Sequence, residues 1–572
     1  MTTSATAPFE SHSQENCLQT IFGRLQANPT VVVLEELRES GPLTATGAEL
    51  LAMISSARGH IRGAGVKPGD RCALLADNGI RWVAANLAIF AEGAICVPLY
   101  SRQAPEELAA MIADCEPALL LCGTDALRDA LAGGSAGAPN CVLFDAVFST
   151  TTASGADEQP VTLASGDPMA IIYTSGTSGV SKGVVLTYGN VGHMLKCTSS
   201  RLDLLMEGRN TIRQDRVFHY LPFCFAGSWI LTLTSLLRGS RLTLNAALTR
   251  LAKELPGSDP DYVLNVPALL ERMRRGVDEQ VASRGGIASK IYLDAKRASE
   301  RFRSNSNVRL TAREGLSLWL ANLAVFPAIR KRMLGCNLRA LICGSAPLSL
   351  ETQGYFEMLG VPVLQVYGLT ETTAICTMDV PGQAESGRVG PAIPGVEMRM
   401  GDNQEILVRG PNLFARYWNR PEETAAVLRD GWFHTGDQGD VNGAGNWAVA
   451  GRLKNLVILS SGHNVAPEPI EDKLLQQISG ALQIVVVGNG KGYLSAIVCG
   501  PMTESAVQAG IDAVNLGLPH YKQVRAFHLR QQTFSPESGL LTANGKLKRD
   551  AIASSLQAEI AGMYEARAKV AS

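Results

Sequence analysis

The stretch Tyr173-Thr-Ser-Gly-Thr-Ser-Gly-Val-Ser-Lys182-Gly-Val184 has the residue types that hold a chain of phosphates. It follows the apolar run 169–173, which predicts a buried strand. Two glycines let the backbone turn sharply and point amide N–H groups at one concave point. Hydroxyl groups and a lysine add donors that suit phosphate oxygens. The candidate phosphate-binding residues are Thr174, Ser175, Gly176, Thr177, Ser178, Gly179 and Lys182.

This stretch has two alternative interpretations. A P-loop needs Gly-Lys-Ser/Thr in direct succession, whereas Lys182 follows Ser181, so the pattern disfavours a P-loop ATPase. A flexible Gly/Ser surface loop is what the composition alone would favour. Motifs further along the chain weigh against that second alternative.

Length and composition limit the class of protein. The 572 residues exceed what one hydrophobic core usually supports, so at least two domains are expected. A net charge of −1 argues against nucleic acid as a partner. The 12 cysteines include no C-x-x-C pair, which disfavours zinc and thioredoxin-like chemistry. Cys72, Cys96 and Cys122 lie in apolar runs, typical of buried thiols in a reduced cytosol.

The N-terminus and the longest apolar stretch bear on localisation. Residues 1–15 are polar, lack the layout of a signal peptide, and are expected to be a disordered tail. Residues 316–328 form an apolar stretch that is too short and too interrupted to span a bilayer. The sequence therefore predicts a cytoplasmic protein, with peripheral contact at a membrane as a further option.

The order of strands and helices predicts an α/β fold. Apolar strands at 71–76, 94–98 and 117–122 alternate with helical segments at 80–92 and 105–114, which indicates parallel sheets covered by helices. After Arg452 the pattern changes to a smaller α+β unit. Its predicted strands are 484–487 and 494–498, and its predicted helices are 467–478 and 501–515.

Five more motifs follow the phosphate-binding stretch in a fixed order. They are Cys343-Gly-Ser-Ala-Pro-Leu348, Gln365-Val-Tyr-Gly-Leu-Thr-Glu-Thr372, Trp432-Phe-His-Thr-Gly-Asp437, Gly451-Arg-Leu-Lys454 and Leu541-Thr-Ala-Asn-Gly-Lys546. With these six motifs the chain, from about Leu43 to its C-terminus, resembles the adenylate-forming superfamily. That superfamily contains acyl-CoA synthetases, adenylation domains of peptide synthetases, and luciferases.

The resemblance implies a two-step reaction and a division of the chain. A carboxylate attacks the α-phosphorus of ATP, pyrophosphate leaves, and the acyl-adenylate then reacts with a thiol. ATP, Mg²⁺ and coenzyme A are the implied cofactor and substrates, and the partners are small molecules. The implied units are an AMP-binding domain at 16–452, a hinge at 453–454 and a mobile C-terminal lid at 455–572.

The resemblance also implies roles for single residues of the nucleotide site. Lys546 would contact the α-phosphate and the substrate carboxylate, and Thr370 the α-phosphate. Glu371, with Thr174, would bind Mg²⁺, which prefers oxygen ligands. Asp437 and Arg452 would hold the ribose hydroxyls, as a carboxylate does in other nucleotide folds. The remaining candidate nucleotide contacts are Gly344, Ser345, Ala346, Pro347, Gln365, Val366, Tyr367, Gly368 and Leu369, with the Tyr367 ring stacking on adenine.

For the second step and for the acyl group the resemblance is less specific. Lys454 is the implied hinge residue, and Ser461 and Gly462 would line the pantetheine channel. The candidate acyl-binding residues are His219, Phe223, Phe225 and Trp229, and ordinary core packing is an equally good interpretation of them. Peptide-synthetase adenylation domains place an aspartate in a Phe-Asp-x-Ser motif, and Ala226 stands at that position here. Amino acids are therefore disfavoured as substrates.

Two positions depart from the family pattern. Phe225 stands where many acyl-CoA synthetases carry a histidine, which leaves the entrance to the acyl site open to question. Arg416 stands where the family usually has a glycine, so the local backbone could differ. Neither change removes a catalytic group.

Residues 274–332 carry thirteen Lys/Arg against five Asp/Glu in a segment of helical character. One interpretation is a solvated helical face. The other is a basic surface beside an anionic partner, either the phosphates of CoA or an acidic bilayer. A helical segment at this place resembles one that long-chain acyl-CoA synthetases carry.

The leading hypothesis is thus a long-chain fatty acyl-CoA synthetase. The alternatives are a fatty acyl-AMP ligase that loads a carrier protein, a CoA ligase for another apolar or aryl acid, and a non-catalytic sensor. No obvious extra segment would block movement of the lid, which favours CoA as the acceptor.

Overall fold

The computed structural model describes residues 17–132, 140–149, 159–174, 181–208, 213–304, 310–535, 538–542 and 545–568. The predicted tail at 1–15 lies outside these residues, and so do Ser175, Gly176, Thr177, Ser178 and Gly179 of the phosphate-binding stretch. Within the described ranges, no helix is both long and apolar enough to cross a membrane.

The N-terminal part contains two large, mainly parallel sheets. The eight-stranded sheet has the order Thr377–Met378, Val363–Tyr367, Ala340–Cys343, Tyr262–Asn265, Arg216–His219, Arg241–Asn245, Val32–Arg38 and Gly41–Thr46. The seven-stranded sheet has the order Arg416–Tyr417, Lys182–Thr187, Pro168–Thr174, Ile95–Leu99, Arg71–Leu75, Leu119–Cys122 and Cys141–Leu143. The predicted strands at 71–76, 94–98, 117–122 and 169–173 are confirmed within two residues.

The main hydrophobic core lies between these two sheets. It includes the helix Ile80–Ala91, whose residues are nearly all buried, and the helices Tyr188–Met206 and Ala226–Arg238. Burial of both helix faces follows from their composition, since Ile80–Ala91 contains a single cation and no carboxylate. The other helices of this part are Cys17–Ala27, Gly47–Gly63, Pro105–Cys115, Asp125–Ala132, Phe144–Val147, Leu251–Ser258, Leu350–Met358 and Pro421–Val427.

A helical insert covers the outer face of the eight-stranded sheet. It comprises the helices Pro267–Arg284, Gly286–Ser304, Ala312–Leu320 and Phe326–Leu334, with a π-helical turn at Ala321–Val325. Tyr292, Phe326 and Leu334 of the insert are buried against Val263 and Leu341 of the sheet. The helical character predicted for 274–332 is confirmed at the described residues of that range.

A third sheet and the C-terminal unit complete the chain. The third sheet is antiparallel, with strands Glu397–Met400, Glu405–Arg409, Leu428–Arg429, Trp432–Val441 and Trp447–Arg452. The C-terminal unit has a three-stranded sheet of Gln483–Val487, Leu494–Cys499 and Val524–Arg530, and a small pair of Val457–Ile458 and Asn464–Val465. Its helices are Glu468–Gln477, Glu504–Asn515, Arg549–Ser555 and Gln557–Ala568. A large α/β part followed by a smaller α+β unit is the predicted fold class, which is confirmed.

Candidate active site

Two parallel strands end side by side at the predicted nucleotide turn. Cys343 is the register partner of Gln365, so residues 344–347 lie beside residues 366–369. A Cβ atom on Gly344 would lie 2.6 Å from Val366 Cγ2, which explains why glycine occupies that position. Ser345 has φ +75°, a conformation that non-glycine residues rarely adopt and that often marks functional turns. Ser345, Ala346 and Pro347 are exposed, as a ligand-binding turn requires.

A buried carboxylate forms the second part of the site. Tyr367 Oη donates to Asp437 Oδ2 over 2.8 Å, and Arg452 Nε lies 2.9 Å from Asp437 Oδ1. Asp437 and Arg452 are register partners on adjacent antiparallel strands, so the sheet itself fixes this pair. Burial raises the pKa of the Asp437 carboxyl, whereas Arg452 and the Tyr367 hydroxyl lower it. The carboxylate is therefore held in one orientation before any nucleotide binds.

A second carboxylate, Glu371, lies in a short 3₁₀ turn, Thr370–Thr372, after the strand Val363–Tyr367. Tyr417 Oη donates to Glu371 Oε1 over 2.8 Å. Lys182 Nζ lies 5.2 Å from the centre of the Tyr417 ring and forms an ion pair with Glu423. Thr174 is the register partner of Lys182, so these contacts connect the start of the phosphate-binding stretch to Glu371.

These residues fit the ligand preferences of Mg²⁺. One oxygen of Glu371 is held by Tyr417, which leaves Oε2 to face a cation, and Thr174 offers a hydroxyl. Mg²⁺ usually binds one or two protein oxygens together with phosphates and waters. The described residues contain no group of three or more His, Cys, Asp or Glu that could hold a metal ion unaided. A magnesium ion at these residues would need further ligands, such as phosphates and waters.

Two lysines of the C-terminal half face the same carboxylates. Crowding by protein atoms lowers the pKa of Lys546, and the charge of Arg452 lowers it further, whereas Asp437 and Glu371 raise it. Crowding and Arg452 likewise lower the pKa of Lys454, and Asp437 raises it. Both side chains keep contact with solvent. The charges of Asp437 and Glu371 both act on Lys546, so its side chain lies within their electrostatic reach.

The loop of Lys546 is held at three points. The main-chain N–H of Lys546 donates to Thr542 Oγ1 over 3.0 Å, which closes the loop on itself. Arg549 donates to both carboxylate oxygens of Glu471, at 2.7 and 2.6 Å, within the C-terminal unit. Lys548 Nζ donates to Glu107 Oε1 over 3.2 Å, and Glu107 belongs to the N-terminal part. The loop of Lys546 is therefore held by two contacts within the C-terminal unit and by one contact with the N-terminal part.

The structure does not bring every candidate residue to this site. The side chain of Gln365 is buried and donates to Gln353 Oε1 over 3.0 Å, so its polar groups serve the fold. Ser461 Oγ lies 2.9 Å from His463 Nδ1, and Gly462 has φ +82° in the turn between two short strands. None of the contacts found for the described residues joins Ser461 or Gly462 to the nucleotide site. Their proposed role beside pantetheine stays a prediction.

The candidate acyl-binding residues, here called the aromatic set (His219, Phe223, Phe225 and Trp229), are largely core residues. The ring centroids of Phe223 and Trp82 lie 4.9 Å apart, and those of Trp229 and Phe90 lie 5.9 Å apart. His219 Nε2 lies 2.6 Å from Ser228 Oγ. Within the set only Phe225 keeps appreciable exposure. The arrangement favours the core-packing interpretation for the other three.

Sequence reasoning missed three residues that shape the site: Tyr417, Glu423 and Glu107. Tyr417 belongs to the segment Arg416-Tyr-Trp-Asn419, in which the family pattern singles out only the position of Arg416, usually a glycine. Arg416 lies in a regular two-residue strand, so the fold accepts a side chain there. Glu107 is 441 residues from Lys548, and no local pattern connects the two.

Comparison with known proteins agrees with this geometry. Residues 25–418 match the family described as AMP-binding enzyme, and residues 454–568 match the AMP-binding enzyme C-terminal domain. The chain is 27% identical to the long-chain-fatty-acid–CoA ligase FadD15 of Mycobacterium bovis, over 98% of this chain and 99% of that protein. It is 29% identical to a feruloyl-CoA synthase of Amycolatopsis sp, over 76% of this chain and 78% of that protein.

Solved structures share the fold. The o-succinylbenzoate CoA synthetase of Bacillus subtilis, in complex with its acyl-adenylate intermediate, superposes with a TM-score of 0.72 at 21% identity. The match covers 93% of this chain and 97% of that one. At this identity the likeness shows the common fold and leaves the substrate open.

Proposed function

The chain belongs to the AMP-binding enzyme family, and on this premise we propose that it activates a long-chain fatty acid with ATP and transfers the acyl group to CoA. The products are the acyl-CoA thioester, AMP and pyrophosphate. The observation that carries the proposal is the contact of Lys548 with Glu107 of the N-terminal part, which brings the neighbouring Lys546 within electrostatic reach of Asp437 and Glu371. This arrangement puts a cation of the C-terminal unit beside the carboxylates that would hold ribose and Mg²⁺.

In the first step, negative charge builds on the α-phosphate as the carboxylate attacks it. Lys546 and Thr370 would contact that phosphate, and preorganised cations and hydrogen-bond donors are what stabilise such a transition state. Glu371 and Thr174 would hold Mg²⁺, which neutralises the charge of the departing pyrophosphate. Lys182 lies in register with Thr174 and would reach the same phosphates after leaving Glu423.

The nucleotide would be oriented by the Tyr367–Asp437–Arg452 group. Asp437 would accept hydrogen bonds from the ribose hydroxyls, and its contacts with Tyr367 and Arg452 favour its charged form and fix its orientation. The Tyr367 hydroxyl is committed to Asp437, so its ring is held in one plane, available to adenine. The turn at residues 344–347 would contact the other side of the base.

The second step requires the C-terminal unit to move. In the arrangement described here Lys546 lies within electrostatic reach of Asp437 and Glu371, which would suit adenylation. A rotation about Lys454 would withdraw Lys546 and admit the CoA thiol, as hinge movements of rigid domains do. Ser461 and Gly462 would then line the channel for pantetheine.

The choice of acid rests on the relatives and on the composition near Ala226. The FadD15 relative is named for long-chain fatty acids, and Ala226 offers no carboxylate to an amino group. The feruloyl-CoA synthase relative supports an aryl acid as the alternative substrate. A carrier protein stays the alternative acceptor. The proposal includes peripheral contact with a membrane, where a long-chain acid dissolves.

The test is pyrophosphate release across saturated acids of graded length and cinnamates, each with and without CoA. Each buried methylene contributes roughly 0.8 kcal/mol, or about fourfold in affinity, so kcat/KM should rise steadily with chain length until the site is filled. Acetate should be a very poor substrate. The kcat/KM of cinnamates should be lower than that of saturated acids of about twelve or more carbons. A maximum at acetate or at a cinnamate would overturn the long-chain assignment. Turnover that does not depend on CoA but requires a carrier protein would contradict the assignment of CoA as the acyl acceptor.

A further inference from the structure

The helical insert displays a row of large apolar side chains to solvent. Leu316, Trp319 and Leu323 are 57%, 60% and 65% exposed. Their spacing of three and then four residues places them on one face of the helix that runs through Ala312–Leu320 and the π-turn. We call this row the apolar stripe. Single exposed leucines are common on proteins, but a contiguous row that includes a tryptophan marks an interaction surface.

The apolar stripe is not a core face turned outward by poor packing. The opposite face of the same helix is buried through Ser317, Ala321 and Phe326, which pack on the rest of the insert. Arg313 binds Asp294 of the neighbouring helix at 3.0 Å, and Arg301 of that helix binds Glu314. The stripe is thus presented by a helix that is fixed on its other side.

The helical insert that carries the apolar stripe is rich in exposed cations. Residues 286–334 contain ten Lys/Arg against three Asp/Glu, in a chain whose net charge is −1. Lys290 and Arg297 are exposed on the neighbouring helix, one turn on either side of the exposed Leu293. The side chains of Arg297 and Arg313 are 74% and 81% exposed. The face therefore combines apolar groups with long cationic side chains.

This combination fits an anionic lipid bilayer better than its alternatives. Tryptophan and leucine enter the headgroup region while Lys and Arg reach anionic phosphates beside them. A second copy of the chain would bring two basic faces together, which like charge opposes. The phosphates of CoA would account for the cations but leave the apolar stripe without a partner.

We propose that the apolar stripe and the cations around it form a docking surface for anionic membranes. The inference identifies the surface that would make the membrane contact included in the proposed function. It rests on that function only for the reason why the protein would dock, which is access to a long-chain acid. Binding to lipid can be measured without ATP, CoA or fatty acid. Failure of the proposed substrate would therefore leave the docking result unchanged, and the reverse also holds.

The experiment is flotation of the full chain with vesicles of phosphatidylcholine, with and without about one third phosphatidylglycerol. The wild type should bind the anionic vesicles, and binding should weaken in high salt because exposed charges are screened. The variant Leu316→Ser/Trp319→Ser/Leu323→Ser should lose about tenfold or more in partition, since three apolar side chains no longer enter the lipid. The variant Lys290→Glu/Arg297→Glu should lose binding to anionic vesicles by on the order of tenfold.

The matched control is Leu516→Ser, which removes an apolar side chain that is 92% exposed in the C-terminal unit. It should bind vesicles as the wild type does. Quenching of tryptophan fluorescence by brominated lipid should occur in the wild type and weaken in Trp319→Phe. This second readout stands even where the triple variant folds poorly.

Three results would overturn the proposal. One is a wild-type protein that does not bind anionic vesicles at low salt. Another is equal loss of binding in Leu516→Ser and in the triple variant. The third is a concentration-dependent dimer in sedimentation that the triple variant abolishes, because the stripe would then be covered by a second copy.

Discussion

The nucleotide cleft and the aromatic set were both named from motifs, but the fold treats them differently. In the candidate nucleotide site, here called the cleft, the charged groups of Asp437, Glu371 and Arg452 are held by one or two protein partners each. In the aromatic set, His219 and Trp229 are fully buried, and burial lowers the pKa of His219 to about 4. The cleft groups are candidate ligand contacts held in place by partners, whereas most of the aromatic set packs in the core.

This difference separates the chemistry of activation from the choice of acid. In the proposed function the cleft groups would act on ATP, which is the same for every acid, and they lie in short motifs at strand ends. The aromatic set contacts Trp82 and Phe90, which lie on another helix far away in the chain. The role of the aromatic set therefore depends on packing between distant segments, which no single motif records.

The largest expected effect is at Lys546. Lys546→Ala should slow acyl-adenylate formation on the order of 10²-fold or more, because the α-phosphate loses a preorganised charge. Thioester formation from a supplied adenylate should be nearly unchanged. The two half-reactions are measured separately, by pyrophosphate release and by acyl-CoA formation. Lys548→Ala, two residues away in the same loop, is the control and should cost far less. Equal loss in both half-reactions would contradict the assigned role.

Trp229→Ala tests the other side of the comparison. Removing a buried tryptophan side chain should cost roughly 3–5 kcal/mol in the free energy of unfolding, if Trp229 is core. The preferred chain length should not move. Trp319→Ala, at a tryptophan that is 60% exposed, should leave the free energy of unfolding within about 0.5 kcal/mol. A normal stability for Trp229→Ala with a shift towards longer acids would instead make Trp229 a wall of the acyl site.

Local pattern predicted much of this molecule, for reasons visible at single elements. The strand Arg71–Leu75 and the helix Ile80–Ala91 were predicted because the length of an apolar run distinguishes a buried strand from a buried helix. Lys546, Asp437 and Glu371 could be named because each lies in a contiguous motif of a recognisable family. The side-chain role of Gln365 was not predictable, since its partner Gln353 is set by tertiary packing.

The contacts that link the two parts of the chain also escaped prediction. Tyr417 holds Glu371 and lies over Lys182, but it reaches them only because its strand pairs with Lys182–Thr187. Glu107 meets Lys548 only when the C-terminal unit is in place. Contacts of this kind depend on how the sheets and the two parts of the chain are assembled. Local sequence patterns do not predict that assembly.

Asp437→Asn sharpens the claim that the cleft is preorganised. A hydrogen bond to a charged group contributes about 1.5–3 kcal/mol, so the KM for ATP should rise about tenfold or more. The loss combines a weaker contact to ribose with an unpaired Arg452. Asp440→Asn, further along the same strand and paired with Arg388, is the control. An unchanged KM for ATP in Asp437→Asn would show that Asp437 serves the fold alone.

Lys454 tests whether the cleft changes between the two steps. Lys454 lies in the 3₁₀ turn Leu453–Asn455, and proline there fixes φ and would hinder rotation of the C-terminal unit. Lys454→Pro should slow thioester formation by about tenfold while adenylation survives, as for other hinge substitutions. Lys454→Ala removes the same side chain but keeps the backbone free, so it separates the hinge from the charge. If both variants slow thioester formation equally, the side chain is responsible and the hinge lies elsewhere.

The smallest expected effect is at Glu107, which belongs to neither the cleft nor the aromatic set. Its ion pair with Lys548 holds the Lys546 loop at the cleft, but the two side chains are 36% and 21% exposed, and partly exposed pairs are worth little. Glu107→Gln should slow adenylation by roughly two- to fivefold, corresponding to at most about 1 kcal/mol. Thioester formation should keep its rate, because the contact exists only while Lys546 is at the cleft.

Lys548→Ala should have the same effect as Glu107→Gln, and the double variant should be no slower than either single variant, since both substitutions remove the same contact. Raised salt should shrink the difference between Glu107→Gln and the wild type. Losses that add in the double variant, or that fall equally on both steps, would show that the pair does not hold the C-terminal unit in its adenylation arrangement.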